Sequence, residues 1–468
     1  MVPTVRSFSV EFEPLRLVAR FPDTYPGLLE SSAPIGTLVA GGGRFDILPM
    51  SCGECLRLGA NRGLSGPHAA GAEGFLSALE DWWRALRSLG TAAPLPFTGG
   101  WLLYLGYELA AEIEPRLRLP PSPDSVTALA IRAPAAWIRD RSTMQTWLVA
   151  EPGYEALLDA FETHVQEVAG PLFAKMPAGG ARFEIQEENP ARFLGAVSRA
   201  LDYIAAGDVY QSNLSRLWQV RSDLPLDPVS IYETLRSTNP SPFAAMMRYG
   251  DFSVMSSSPE RLLSIRGGIA STRPIAGTRP RGTSPETDAA LVESLLNNEK
   301  ERAEHVMLID LERNDLGRVC VGGSVRVDEY MVLETYAHVH HIVSNVSGRL
   351  RGDASPIQAI RALFPGGTIT GVPKVRCMEI IAELEGMGRG AYTGSIGYLN
   401  RDGSCDLNIL IRTLTADAGA QGEGAGAGAA PIRFRAGAGI VADSIPSQEL
   451  AETRAKAKGM LRALEANS

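Results

Sequence analysis

Two glutamate pairs stand at helical spacing in this chain: Glu301 and Glu304 in NNEKERAEHVMLIDLERND, and Glu449 and Glu452 in SQELAETRAKAKGML. Residues three apart are neighbours on one helix face, so each pair sets two carboxylates side by side. Lys456 follows Glu452 by one further turn. Either pair alone also fits an ordinary solvated helix face. If the two pairs face each other, the carboxylates repel by roughly 4 kcal/mol per close contact at an effective dielectric of about 20. A bound cation makes such an arrangement stable, and hard oxygen donors with room left for water and a substrate carboxylate select Mg²⁺.

The stretch FPGGTITGVPKVRCMEII, residues 364 to 381, offers different chemistry. A turn loosened at Gly366-Gly367, the hydroxyl of Thr368 and the helix entry at Pro373-Lys374 bring N–H groups, a hydroxyl and an ammonium to one spot, a seat for a small anion. Arg412 projects from the apolar run ILIRTL, with Tyr392 on the preceding strand. Such an arginine is either capped by an internal carboxylate or free to grip a substrate carboxylate with its two-pronged donor set. In AGAGIVADS, Gly437 and Gly439 let backbone amides approach an anion closely. HVHHIVS places His338 and His340 on one face of a strand and His341 on the other. No zinc-like ligand spacing accompanies them. One histidine facing a Mg²⁺-bound substrate serves as a general acid or base.

These groups need elements to position them. Residues 1–185 mix short strand-like runs with helical patterns such as GFLSALEDWWRALRSL, where Phe75, Leu76, Leu79, Trp82, Trp83 and Leu86 recur at helical spacing. After GPLFAKMPAGGA the pattern changes, which puts the main boundary near residue 185. Residues 186–468 read as strands interleaved with helices at 284–313, 355–363, 373–385 and 447–465, with Asn400-Arg401-Asp402-Gly403 closing a hairpin. The expected class is α+β, with a large, mainly antiparallel sheet system. The Gly/Ala stretch at 416–430 reads as a flexible loop.

Composition narrows the partners. With 468 residues, 45% hydrophobic and 21% charged, the chain is ordinary globular material, and a net charge of -8 argues against a nucleic-acid surface. No run of about 18 apolar residues suggests a membrane span or a secretory leader, so a cytoplasmic protein is expected. The five cysteines, Cys52, Cys55, Cys320, Cys377 and Cys405, suit reduced thiols.

Several long motifs in order, SSSPERLL, RPIAGTRPRG, ERAEHVMLIDLERNDLGR, HHIVS, FPGGTITGVPK, GSIGYL, IRT, AGAGIVADS and ExxETxxK, give residues 195–462 a close resemblance to the chorismate-utilising enzymes. YPGLLESS and FTGGWLLYLGYEL resemble the companion region of the aminating members. The resemblance implies a β-sandwich with helices packed outside and a cleft in the C-terminal part. It implies Mg²⁺ held directly by Glu304 and Glu452, with Glu301 and Glu449 holding metal-bound water. Arg412 and Tyr392 match the groups that hold the pyruvyl carboxylate; Gly437, Gly439 and Lys456 help with the ring carboxylate, and Thr278 joins the substrate-binding positions. His341 and Thr368 match the pair at the departing ring hydroxyl, with Lys374 near the mouth.

Gln211 stands where water-using relatives carry a lysine base, and an amide takes no proton from water at neutral pH, so ammonia is the expected nucleophile. Ala276 stands where many aminodeoxychorismate synthases carry a nucleophilic lysine, a departure shared with anthranilate synthases, as are LLESS and NPSPF. Gly366-Gly367 and Thr393-Gly394-Ser395 resemble the aminodeoxychorismate group, and that reading is preferred. Anthranilate synthesis is the alternative, and an idle chorismate- or tryptophan-binding protein the third. Ser31 in LLES matches a tryptophan-binding element, or is a helix cap. No GxCxG nucleophile with a following His-Glu pair occurs, so ammonia is expected from solution or from a separate glutamine amidotransferase subunit. No fused pyruvate-releasing lyase is expected.

Overall fold

The computed structural model describes residues 2–33, 43–88, 95–168, 183–222, 227–336, 339–418 and 431–465. Among them two antiparallel sheets form, of 12 and 11 strands. Strand alternation explains how they stack. In Gly100–Leu105, Leu102 and Tyr104 meet Ala245 and Met247 of the other sheet, while Trp101, Leu103 and Leu105 face the opposite way, beneath helices Phe75–Leu86 and Pro356–Leu363. In Phe243–Tyr249 the same rule turns Ala244 and Met246 outward, under Pro14–Arg20, Ala156–Val168, Pro228–Thr238 and Pro446–Glu465. The result is the expected α+β sandwich with helices outside.

Both sheets draw strands from both sides of residue 185. Gly27–Glu30 pairs with Phe243–Tyr249, and Gly100–Leu105 pairs with Ser395–Asn400. The N-terminal companion region thus shares its core with the later part. The Asn400–Gly403 turn closes the hairpin Ser395–Asn400/Cys405–Asn408, with Gly403 at φ +87° where a Cβ is disfavoured.

Three expectations change. The helix read as 284–313 is two helices, Pro285–Leu296 and Glu299–Gly317, because the Asn298 side chain accepts the Glu301 N–H and starts a new N-terminus. Arg412 and Tyr392 lie in breaks rather than in strands. Arg412 has φ +52° in the segment between Cys405–Asn408 and Thr413–Asp417, and Tyr392 sits in the turn before Ser395–Asn400. Their side chains can therefore leave the sheet and enter a cleft. His338 and most of the Gly/Ala stretch lie outside the described residues. No helix among those described is long and apolar enough to cross a membrane.

Candidate active site

A cleft of about 710 Å³ opens between two helices and the adjoining ends of both sheets. Helix Glu299–Gly317 presents Glu301 and Glu304 to it, and helix Pro446–Glu465 presents Glu449, Glu452 and Lys456 from the other side. The two pairs do face one another. Burial first, then the negative charges of Glu301 and Glu452, push the Glu304 carboxyl up; burial and Glu452 do the same to Glu449. The charges are partly offset within the protein: Arg279 pairs with Glu301, Lys456 with Glu452 at 2.8 Å, and the Gln211 amide donates to Glu304 at 2.7 Å. Among the described residues no three acidic, histidine or cysteine side chains converge into a finished metal cage. The donor set and its mutual repulsion nevertheless suit a hard divalent cation that takes over from Arg279 and Lys456.

Strands Gln211–Ser222 and Ile432–Ile440 pair antiparallel along the cleft and explain Gly437 and Gly439. A Cβ at Gly439 would lie 2.5 Å from Gln211 Nε2, and one at Gly437 would lie 2.5 Å from the Tyr392 hydroxyl and 2.8 Å from Asn213 Oδ1. The glycines leave room for three polar side chains to lie flat against the strand. Lys456 donates to the Gly437 carbonyl at 3.0 Å and so joins helix to strand as well as charge to cleft.

Arg412 is the clearest binding group. Its guanidinium lies in the cleft, no carboxylate among the described residues is within ion-pairing distance, and burial holds its pKa below the ordinary value. The internal cap considered from sequence is absent there, in contrast to Arg389 and Arg435, which clamp Glu385 at 2.6 and 2.8 Å. A desolvated cation without an anion invites one from the ligand.

On the opposing wall, strands Ile275–Pro280 and Val339–Arg349 pair so that Thr278 lies across from His341. Thr278 Oγ1 and His341 Nδ1 are 2.9 Å apart, and His341 Nε2 is buried without a partner among the described residues. Burial, and then the nearby Arg412 charge, lower the His341 pKa to about 3, so at neutral pH the ring is a neutral hydrogen-bonding group and a poor acid. His340 turns the opposite way, as its alternation demands, and meets Asp288 at 2.8 Å. Ala276 also lines the cleft and offers only a methyl group.

The residue that sequence reasoning missed is Glu260, in SSSPERLL. It lines the cleft and accepts a hydrogen bond of 2.6 Å from Thr368, so the anion-seat threonine is in fact the partner of a buried acid. Burial pushes its pKa up to about 7, against the pull of Thr368, Lys456 and Arg412. A carboxyl half protonated near neutrality, beside a substrate-sized cleft, is suited to proton donation. The one signal in the sequence was an acidic residue set between two strand-like runs of small and apolar residues.

Lys374 does not reach the cleft. Its ammonium pairs with Asp315 and donates to the Leu363 carbonyl at 3.0 Å, behind the Gly366-Gly367 turn. The first turn of helix Lys374–Glu385 points it towards the ERND segment, where Asp315 and the buried Glu312 raise each other's need for a cation. Lys374→Met is therefore expected to cost about 3 kcal/mol of stability by stranding Asp315, with the KM for the substrate unchanged. Denaturant melts and steady-state kinetics would check both, and an altered KM with intact stability would return Lys374 to the cleft.

Ser31 also stands apart. It follows strand Gly27–Glu30 and caps no helix; its N–H bonds to Asp46 at 3.2 Å, and its buried hydroxyl lacks a partner among the described residues. Its neighbours Glu30 and Gly43 border a separate cavity of about 280 Å³.

Known proteins share this architecture. A family model for chorismate binding enzymes matches residues 62–462. An anthranilate synthase component I-like protein of Synechocystis is 42% identical over 79% of this chain and 74% of that protein. Aminodeoxychorismate synthase component 1 of Bacillus subtilis is 42% identical over 83% of this chain and 82% of that protein. The crystal structure of anthranilate synthase component I from Streptococcus pneumoniae superposes with a TM-score of 0.77 at 32% identity, over 90% of this chain and 93% of that one. The fold is therefore that of anthranilate synthase component I, and the protein belongs to the family of chorismate binding enzymes.

Proposed function

We propose that the protein aminates chorismate with ammonia to give 4-amino-4-deoxychorismate, a precursor of para-aminobenzoate. The observation that carries the amination is Gln211. Its Nε2 is engaged by Glu304, so the group where activation of water would need a base is an amide carbonyl. Ammonia needs no such base. The turn with Gly366-Gly367 and the Thr393-Gly394-Ser395 segment favour the 4-amino product over anthranilate, which is the second reading; Ala276, together with a relative of each kind, keeps that second reading in view.

In this reading Arg412 and Tyr392 hold the pyruvyl carboxylate, while Lys456 and the open edge at Gly437 and Gly439 face the ring carboxylate. Mg²⁺ held by Glu304 and Glu452, with Glu301 and Glu449 on its bound water, would neutralise that carboxylate. Glu260 gives its proton to the departing ring hydroxyl, which leaves as water, and Thr368 steadies the carboxylate left behind. The new C–N bond forms as the C–O bond breaks, and the surplus ammonia proton restores Glu260. His341 contributes a neutral ring nitrogen that Thr278 orients. With Ala276 at that position the side chain offers no nucleophile, so the incoming nitrogen is ammonia's own, delivered from solution or by a separate glutamine amidotransferase subunit. Ser31, beside its own cavity, is where a regulatory amino acid such as tryptophan would be sought.

Heavy-nitrogen ammonium supplied with chorismate and Mg²⁺ is expected to label the product, whereas incorporation of solvent oxygen would contradict amination. Glu452→Ala should reduce Mg²⁺-dependent turnover by about a hundredfold or more while the protein still melts cooperatively. Unchanged turnover would remove that glutamate from the metal set.

A further inference from the structure

Helix Pro285–Leu296 buries a single residue, Leu295, so apolar packing fixes only its C-terminal end. There a Cβ at Gly277, on the cleft wall, would lie 2.9 Å from Leu295 Cδ1. The other end is fixed by Asp288. Its Oδ1 accepts from Arg281 Nε at 2.9 Å and from the Gly282 N–H at 2.7 Å, and meets His340 Nε2 at 2.8 Å. Its Oδ2 accepts from Arg281 Nη2 at 2.9 Å. A carboxylate in the first turn of a helix is favoured by the helix dipole alone. Reaching three partners that all lie outside the helix is a further property, and charge-assisted bonds of this kind add geometric precision.

Each partner leads to the cleft. Arg281 also donates, through Nη1, to the Tyr336 carbonyl at 3.3 Å, and Tyr336 lines the cleft with its ring edge-on to His341 at 5.7 Å. Gly282 follows strand Ile275–Pro280, which brings Ala276 and Thr278 to the same wall. His340 stands beside His341 on strand Val339–Arg349, and its Nδ1 lies 2.9 Å from Oγ1 of Thr335, the residue before Tyr336. Thr278, Tyr336 and His341 line the cleft; Asp288 and His340 do not. One carboxylate behind the wall therefore ties together the three pieces of chain that form it.

We propose that Asp288 is a positioning residue for the chorismate site: by holding the Arg281-Gly282 connection and His340, it sets where Thr278, Tyr336 and His341 stand against the substrate. The proposal rests on the reading of the cleft given above, and Asp288 itself does not touch chorismate. Because so little of the helix is buried, loss of the carboxylate frees this wall locally and leaves both sheets intact. A displacement of about 1 Å at a reacting group costs up to about a hundredfold in rate.

The test compares Asp288→Ala, Asp288→Asn and His340→Leu with the wild type. Chorismate consumption with Mg²⁺ and ammonium, thermal melting, and tryptic cleavage of the Arg281–Gly282 bond are the readouts. Asp288→Ala should lose about ten- to a hundredfold in kcat/KM for chorismate, be cut after Arg281 about tenfold faster, and keep the wild-type melting temperature. Asp288→Asn, whose amide oxygen still accepts from Gly282, should recover part of the activity. His340→Leu removes a single arm and should lose less than Asp288→Ala. Full activity in Asp288→Ala would overturn the proposal. A lower melting temperature with unchanged kinetics would make Asp288 a structural residue and overturn it too. Should Asp288→Ala fail to fold, wild-type kinetics in both Asp288→Asn and His340→Leu would overturn it. A wild-type protein that consumes no chorismate would overturn the reading of the cleft itself, a failure separate from that of the variants.

Discussion

Glu260→Gln should lower kcat by roughly two to four orders of magnitude, the range that a positioned general acid supplies. Glutamine keeps the shape of the side chain and can still accept the hydrogen bond that Thr368 donates at 2.6 Å, so the cleft is preserved and the KM for chorismate should hold. What is lost is a transferable proton. The wild-type kcat/KM should fall as pH rises through about 7, as the buried carboxyl ionises, and that limb should be missing from the variant.

The same group carries a stability signature of known sign. Its folded pKa, about 7, lies above the ordinary value of 4.5, so between the two the folded protein binds more protons than the unfolded chain. The contribution is fully present below 4.5 and lost as pH rises through 7. Glu260→Gln should therefore melt no lower than the wild type at pH 8, and the gap between them should close in acid. A variant with normal kcat, or with the alkaline limb intact, would remove Glu260 from the chemistry.

Arg412→Met has an expected effect of similar size on binding. Loss of one partner of a desolvated, hydrogen-bonded charge pair costs about 2 to 5 kcal/mol, which predicts a fall in kcat/KM for chorismate of roughly two to three orders of magnitude, mostly through KM. Stability should respond the other way from a structural arginine. Removing Arg412 strands no carboxylate among the described residues and takes away a half-buried charge that burial disfavours, so the melting temperature should stay or rise. Arg389→Met is the contrast, because it takes from the buried Glu385 one of the two arginines that clamp it and should destabilise the protein. If Arg412→Met instead unfolds the protein, the arginine is a core element and the carboxylate clamp falls with it.

The glutamate pairs were legible because helical spacing is local: residues three apart must share a face wherever the helix goes. The break at Asn297-Asn298 was equally local, an asparagine cap three residues before Glu301, but good helix formers continue on both sides of it. Lys374 was misread because its place in a motif says nothing about rotation around the helix; its partner Asp315 lies 59 residues earlier and meets it only in the fold. Glu260 went unassigned for a related reason. Its proton affinity comes from burial, which no short stretch of sequence displays. Gly437 and Gly439 stand out in the sequence, but what they make room for, the amides of Gln211 and Asn213, depends on strand register.

The central claim is that this cleft makes 4-amino-4-deoxychorismate. Its most direct test is the ratio of pyruvate released to chorismate consumed by the purified protein with Mg²⁺ and ammonium. Retention of the enolpyruvyl group predicts chorismate loss with essentially no pyruvate, and pyruvate only after an added lyase. Equimolar pyruvate with fluorescent anthranilate from the protein alone would contradict it.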